Sequence, residues 1–512
     1  MDLLTLLLRG YFPKEYAPPF STKTFAEYAA ALPKGTVKRR ATRPATHNLA
    51  RPGGNRRKLH IPNPFNYLRV AELIADNWSL LSERFGASTL SVSTPTVDPA
   101  GLRALRPRLD GNDLVMCRAR VRSRSRFVLR ADVARFYSTI YTHAVPWALD
   151  GKKVAKYTRK GGFANDLDEA LRNLQDGQTL GIPVGPDASL VVAEIVASAA
   201  DVILVDKGLR GFRFMDDYEF GFATRAQAEA GLAVLEDTLS IYELGLNQLK
   251  TTIDALPIDL DRPWVAKIRS YSADTPWRRS DLVTFFNLAF ELKHRFMADP
   301  VLAYAVARLR RVTIADGWPL LTDLLCQCAL TEAGAMAPVI TFLQANEEHG
   351  SAPAIDAVIQ TVLEQQASLM HGSELAWALW AAIWFERPIP ATLAQILDGG
   401  EDPAVALLTL YALEKGLIEG TVDFPLWRSA LTPESLSDSH WLLTYECSVK
   451  GWLGADRKTL RDNQFQDLYD AGVTFFDPAV EAPTFMPILG AYDDVILASS
   501  DVPFEDNEEP EF

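Results

Sequence analysis

Phe214-Met215-Asp216-Asp217-Tyr218 is the stretch that decides the fold. Two adjacent carboxylates stand between apolar-aromatic runs, the second running from Tyr218 to Phe222. That pattern predicts strand, tight turn, strand, with both acids at the turn. Adjacent carboxylates repel, so a site that keeps both ionised holds a cation between them. Asp-Asp is also an ordinary solvated hairpin turn, because Asp satisfies turn backbone locally.

A third acid bears on that choice. Arg126-Phe127-Val128-Leu129-Arg130-Ala131-Asp132 reads as a short strand ending in Asp132, followed by Val133-Ala134-Arg135-Phe136-Tyr137-Ser138-Thr139-Ile140. An acid at a strand end and an acid pair at a hairpin tip can converge on two Mg²⁺ ions. Such a clamp serves in-line displacement at phosphorus, where the metals neutralise the attacking and leaving oxygens. Between them, Gly181-Ile182-Pro183-Val184-Gly185-Pro186-Asp187-Ala188-Ser189 opens a helix running from Leu190 to Val205.

Asp-x-x-x-Phe-Tyr-x-x-Ile from Asp132, Gly-x-Pro-x-Gly-x-x-x-Ser from Gly181, and Phe-Met-Asp-Asp from Phe214 resemble motifs A, B and C of reverse transcriptases, in order. Tyr141-Thr142-His143-Ala144-Val145-Pro146-Trp147, Asp150-Gly151-Lys152 and Gly162-Phe163-Ala164-Asn165 are similar to the bacterial abortive-infection branch of that family. Lys450-Gly451-Trp452 and Leu460-Arg461-Asp462-Asn463 extend the resemblance over nearly the whole chain.

The resemblance implies an α+β fingers and palm over 1–280, with a palm core of 114–280. An all-α helical-repeat (HEAT-like) domain over 281–499 and an acidic, disordered tail over 500–512 follow. It implies phage defence by DNA polymerisation from dNTPs, untemplated and primed from a protein hydroxyl. A conventional RNA-templated reverse transcriptase and a non-catalytic helical scaffold are the alternatives. It implies two Mg²⁺ ions on Asp132, Asp216 and Asp217 with the carbonyl of Val133. It implies a covalently carried single-stranded DNA product and a homo-oligomer, trimer or hexamer. Arg57, in Arg57-Lys58-Leu59, takes the triphosphate, which a planar guanidinium grips bidentately. By the same resemblance, Tyr137 would stack under the sugar and block a 2′-hydroxyl. Gly185 and Ser189 line the substrate loop. Lys250, in Gly245-Leu246-Asn247-Gln248-Leu249-Lys250-Thr251, lies near the leaving pyrophosphate as general acid or charge clamp. Template-reading members carry Gln where this chain has Val184, and no stretch after Lys250 resembles thumb helices; both departures speak for untemplated synthesis. Without a thumb to hold a primer, a tethered tyrosine on a loop suits the first addition. Tyr11, in the break after the first helix, and Tyr16 are the priming candidates. Both aromatics would equally serve to pin the amino terminus to a core.

The 512 residues suffice for two to four domains. Hydrophobic and charged fractions of 48% and 23% are ordinary for a globular chain. No apolar run is read as approaching the roughly 20 residues a membrane span needs. Met1 to Arg9 reads as an amphipathic helix rather than a signal peptide, and a cytoplasmic protein is the expectation. Four cysteines are too few for a disulfide framework, and Cys326-Gln327-Cys328 reads as buried helix.

A net charge of −13 argues against a general nucleic-acid coat. Its distribution is uneven. Lys34, Lys38, Arg39, Arg40, Arg43, Arg51, Arg56, Arg57 and Lys58 form one basic stretch, and Arg103, Arg106, Arg108, Arg118, Arg120, Arg122, Arg124 and Arg126 a second. A third lies in an excursion over 150–180, with Lys152, Lys153, Lys156, Arg159 and Lys160. Basic stretches beside a metal site suit polyphosphate or a nucleic-acid product, and a solvated basic face is the plainer reading. Helices are expected over 22–32, 65–85 and 227–242, a strand over 56–61, and irregular chain over 33–54. From 280 onward helix patterns dominate, at 302–312, 319–330, 352–370, 374–385, 403–415 and 439–449, with loose spacings near 35 residues.

Overall fold

The computed structural model describes residues 1–36, 40–109, 111–158, 160–273, 275–349 and 352–479. The acidic tail, Lys38, Arg39 and Arg159 fall outside these residues. The described chain is mixed α+β, with a carboxy-terminal region built of helices.

Helix α1 (Leu3–Gly10) starts on Asp2, whose carboxylate accepts from Thr5 N. Helix α2 (Lys23–Ala30) packs beside it. Where irregular chain is expected, Ala45–Ala50 forms strand β1, antiparallel to β2 (Arg56–Ile61). Proline and glycine mark the loop here, but they build only the turn: Gly53 and Gly54 take left-handed φ of 74° and 76° between the strands. The single helix expected over 65–85 is two, α3 (Pro64–Asp76) and α4 (Trp78–Gly86), parted at Asn77. Strands β3 (Pro95–Val97) and β4 (Leu105–Pro107) pair, and the arginine-rich helix α5 (Gly111–Arg122) follows.

A four-stranded antiparallel sheet organises this half, in the order β6-β7-β5-β8, from β5 (Phe127–Asp132), β6 (Gly211–Phe214), β7 (Asp217–Phe222) and β8 (Thr252–Ala255). Its register sorts the side chains. Leu129 faces Phe220 and Ala131 faces Tyr218, buried against α10 (Ala188–Asp206) and α11 (Arg225–Ser240). Arg130 opposite Glu219 and Asp132 opposite Asp217 alternate onto the other face. There α5 closes the sheet, with Arg122 Nε donating to Glu219 Oε1 at 2.8 Å. The excursion between β5 and α10 carries α6 (Phe136–Thr139), α7 (Ala144–Asp150), α8 (Lys152–Tyr157) and α9 (Phe163–Asn173).

Helix α10 corrects one expectation. Its 19 residues have a mean hydropathy of 2.1, so by length and composition it is apolar enough to cross a membrane. It is instead a core helix, apolar all round because protein surrounds it, and Glu194 and Asp201 within it are buried and ion-paired.

Beyond the sheet run α12 (Pro263–Ser270), α13 (Arg279–Arg295), α14 (Val301–Leu309), α15 (Trp318–Thr331), α16 (Met336–Ala345), α17 (Ala352–Gln366) and α18 (Gly372–Trp384). Then come α19 (Ala391–Ile396), α20 (Pro403–Glu414), α21 (Pro425–Ala430), α22 (Trp441–Lys450) and α23 (Asn463–Asp470). Each long helix packs on the next or next but one, as stacked arrays do. Among the described residues of this part, Ile389–Pro390 and Ile418–Glu419 pair as strands. Cys326 and Cys328 lie buried in α15, as expected.

The amino-terminal segment is fastened to this helical part. Arg56 pairs with Glu374, His47 with Asp402, Trp441 Nε1 donates to Ile61 O, and Ser21 N to Phe475 O.

Candidate active site

The three acids converge. Asp132 ends β5 and stands opposite Asp217, the first residue of β7, so their side chains are direct cross-strand neighbours on one face. Asp216 lies in the two-residue turn with Met215, and its carbonyl accepts from Val133 N at 3.0 Å. The loop before β8 closes the other side, with Asn247 N donating to Asp132 O at 2.7 Å and Ala134 N to Gly245 O.

Electrostatics distinguishes this hairpin from a solvated turn. Burial, then the charge of Asp132, pushes the Asp216 carboxyl up from its ordinary value, while Lys250 and Arg57 pull the other way. Burial, then Asp216 and Asp132, pushes Asp217 up to about 7. Asp216 and Asp217, half-buried beside Asp132, keep their charge more easily with a cation close by. Lys250 supplies one: its Nζ lies 2.7 Å from Asp132 Oδ2, with half its own side chain exposed. The ammonium sits on one oxygen of Asp132; the residues that could hold a Mg²⁺ ion here, by their hard oxygen donors, are Asp132, Asp216 and Asp217.

The structure separates Arg57 from its basic neighbours. Strand alternation sends Arg56 and Arg57 to opposite faces, and Arg56 is spent on Glu374. The charge of Arg57 is felt by both Asp216 and Tyr137. Tyr137 is partly buried beside Asp216, and burial raises its hydroxyl pKa well above the ordinary value. It lines a small cavity with Phe136, Leu190, Glu194 and Met215.

Gly185 and Ser189 shape the loop before α10. Gly185 has φ 127°, and a Cβ there would meet Pro13 Cγ at 2.8 Å, so the position needs glycine twice over. The Ser189 hydroxyl donates to Pro183 O at 2.5 Å and is buried, so it closes the loop on itself instead of facing the acids. Val184 is occupied on both sides of its backbone. His60 N donates to Val184 O at 2.8 Å, and Val184 N donates to His60 Nδ1 at 3.1 Å. Burial lowers the His60 pKa to about 4, so the ring is neutral with its proton on Nε2.

Tyr11 and Tyr16 are not placed as priming residues. Tyr11 is fully buried; its hydroxyl donates to Pro62 O at 2.5 Å and its ring stacks on Tyr67 at 4.3 Å. Tyr16 is buried edge-on to His47. Pro13 on Gly185, Asp187 N donating to Gly10 O, and Arg103 gripping Asp187 and Phe12 O hold the segment down. Burial drives both hydroxyls well above their ordinary pKa, the opposite of what a nucleophile needs.

Several residues of the basic stretches are ion-paired within the chain, though Lys34, Arg40 and Arg43 remain exposed. Arg40 pairs with Asp462, Arg43 with Asp176 and Lys34 with Asp76. Arg103 holds Asp187, Arg108 donates to Ser91 O, and Arg118 and Arg122 flank Glu219. His143 of the motif after β5 is bonded through Nδ1 to Asp168 at 2.8 Å, joining α7 to α9. Helix α8 does present Lys153 and Lys156 to solvent beside Tyr157.

Sequence reasoning missed a buried group behind the hairpin. Arg213, on β6, is held between Glu194 and Asp201 of α10 at 2.9 and 2.8 Å. Burial alone would lower the arginine's pKa, but the two carboxylates hold it well above its ordinary value. A lone arginine in a strand pattern, and acids in an apolar helix, were the available signals.

No protein-family model matches the chain, and no curated protein matches it. Among solved structures, apo telomerase from Candida tropicalis is similar at a TM-score of 0.32 and 10% identity, over 77% of this chain and 70% of that one. That likeness is too distant to bear on activity.

Proposed function

We propose that this chain is a Mg²⁺-dependent nucleotidyltransferase that polymerises dNTPs into DNA without a template, with a reverse-transcriptase-like fingers and palm and a defence role of the abortive-infection kind. The observation that carries it is the register of Asp132 opposite Asp217, with Asp216 in the adjoining turn and Lys250 on Asp132. Asp216 and Asp217, both shifted upward by burial and by the charge of Asp132, would be relieved by a cation, and phosphoryl transfer uses that arrangement.

Asp132, Asp216 and Asp217 would hold two Mg²⁺ ions with the Val133 carbonyl; the ions supply charge neutralisation at the attacking and leaving oxygens. A hydroxyl oxygen, giving up its proton to solvent, forms the new bond to the α-phosphorus, the bond to the bridging oxygen breaks, and pyrophosphate leaves. Lys250, exchanged off Asp132, delivers a proton to that pyrophosphate. Arg57 grips the triphosphate, and Tyr137 lies under the sugar, excluding a 2′-hydroxyl. Untemplated synthesis is supported by Val184, an apolar side chain where template-reading members carry Gln. The product is single-stranded DNA carried on a protein hydroxyl, from an oligomeric enzyme that light scattering would report as trimer or hexamer.

The test is purified protein with Mg²⁺ and labelled dNTPs, with and without an RNA template. Product in both arms is expected. Product only with template makes the chain a conventional reverse transcriptase, and product in neither overturns the reading.

A further inference from the structure

The turn that carries Asp216 is built around an unfavourable residue. Met215 has φ 53°, the left-handed region that a residue with a Cβ avoids. Both of its backbone groups are held by side chains. Met215 N donates to Ser93 Oγ at 2.6 Å, and Arg213 Nη1 donates to Met215 O at 2.8 Å. The carbonyl of the next residue, Asp216, accepts from Val133 N. The metal-facing acid is therefore fixed from both sides.

Each holding group is itself held. Arg213 spends all five of its N–H donors: Nε on Asp201, Nη1 on Glu194 and Met215 O, and Nη2 on Glu194 and Asp201. Asp201 also accepts from Ser88 Oγ at 2.7 Å. Ser93 lies on a segment zipped to the edge of β6, where Arg213 N donates to Leu90 O and Val92 N to Arg213 O. Both carboxylates belong to α10, the helix that the Gly185–Ser189 loop opens. A buried ion network costs desolvation, and a hydrophobic substitute of the same shape would often be as stable. What such a substitute cannot do is bond the Met215 carbonyl.

We propose that Ser93 and Arg213 are positioning residues for Asp216, latching the hairpin tip through the Met215 backbone so that the acid meets the metal in one geometry. This rests on the metal reading above. Outer partners of metal ligands act in this way elsewhere, and their loss weakens metal binding by about 10- to 100-fold.

The test is Mn²⁺ titration of the purified chain, reading free Mn²⁺ by electron paramagnetic resonance, alongside the thermal midpoint without metal. Ser93→Ala strips the acceptor from Met215 N and should weaken Mn²⁺ binding about tenfold. Ser93→Thr keeps the hydroxyl, so binding should return to within roughly twofold of the parent. Arg213→Lys keeps the charge but loses the fork, and should weaken binding likewise if it folds. Ser93→Ala that lowers the midpoint yet binds Mn²⁺ as the parent does overturns the latch alone, provided Asp216→Asn abolishes binding. A parent protein that binds no Mn²⁺ overturns the metal reading and the latch together.

Discussion

Two regions of this molecule look alike in sequence and differ in kind. The acidic hairpin at Asp216-Asp217 and the amino-terminal tyrosines Tyr11 and Tyr16 are both reactive side chains in breaks between elements. In the hairpin the groups converge with like charge, and burial with that charge pushes Asp216 and Asp217 above their ordinary pKa. At the amino terminus Tyr11 is sealed among Phe12, Phe25, Phe475 and Tyr67, and Tyr16 among Phe12, Phe20 and His47. The Tyr11 hydroxyl has its partner in Pro62 O. The difference teaches that chemistry sits where like charges are brought together within reach of solvent, and that a loop position alone says nothing of access.

Variants on each side can break that contrast. Asp216→Asn should lower dNTP incorporation by about three orders of magnitude, the several kcal/mol that metal charge stabilisation supplies. Its melting temperature without metal should hold or rise, because one repelling charge is gone. Lys250→Met should slow incorporation about 100-fold, as loss of a general acid does. Single-turnover rates would show it, and a rate unchanged would leave Lys250 as a counter-ion only. Tyr11→Phe should leave incorporation and any covalent product intact, while costing about 1–3 kcal/mol in denaturant unfolding for the orphaned Pro62 carbonyl. Loss of the covalent product in that variant would return Tyr11 to a priming role.

The gentlest test concerns pH and lies far from the hairpin. Glu446 of α22 is fully buried, accepting from Thr474 Oγ1 and Phe475 N, and burial raises its pKa from 4.5 to about 7. The folded state keeps a proton that the unfolded chain releases, so this contribution is full below about pH 4.5 and lost as pH rises through about 7. Glu446→Gln should flatten that part of the stability profile, measured by chemical denaturation from pH 5 to pH 8.

Much of the hairpin half was legible. The period-2 runs at 127–132 and 217–222 locate two paired strands, and the apolar run after Ser189 locates α10. Their convergence follows from acids at strand ends. What escaped is long-range. Strand β1 is polar and follows a proline, and only pairing with β2 and docking on Ser373 and Asp402 make it a strand. The arginines of the two basic stretches look like a surface for polyanions, yet Arg56 finds Glu374 and Arg40 finds Asp462, hundreds of residues away. Helix α16, Met-Ala-Pro-Val-Ile-Thr-Phe-Leu, is β-branched and apolar all round, a pattern that burial between helices permits and periodicity cannot identify. The latch on Met215 depends on a left-handed methionine, which no local rule announces.

The central claim is that Asp132, Asp216 and Asp217 form one two-metal site. Crystals soaked with Mn²⁺ and a non-hydrolysable dNTP analogue, measured by anomalous diffraction, test it most directly. The account predicts two peaks about 3.5–4 Å apart, bridged by Asp132 and Asp216, with Lys250 moved off Asp132. Density with no peak between these carboxylates, and Lys250 still seated on Asp132, would contradict it.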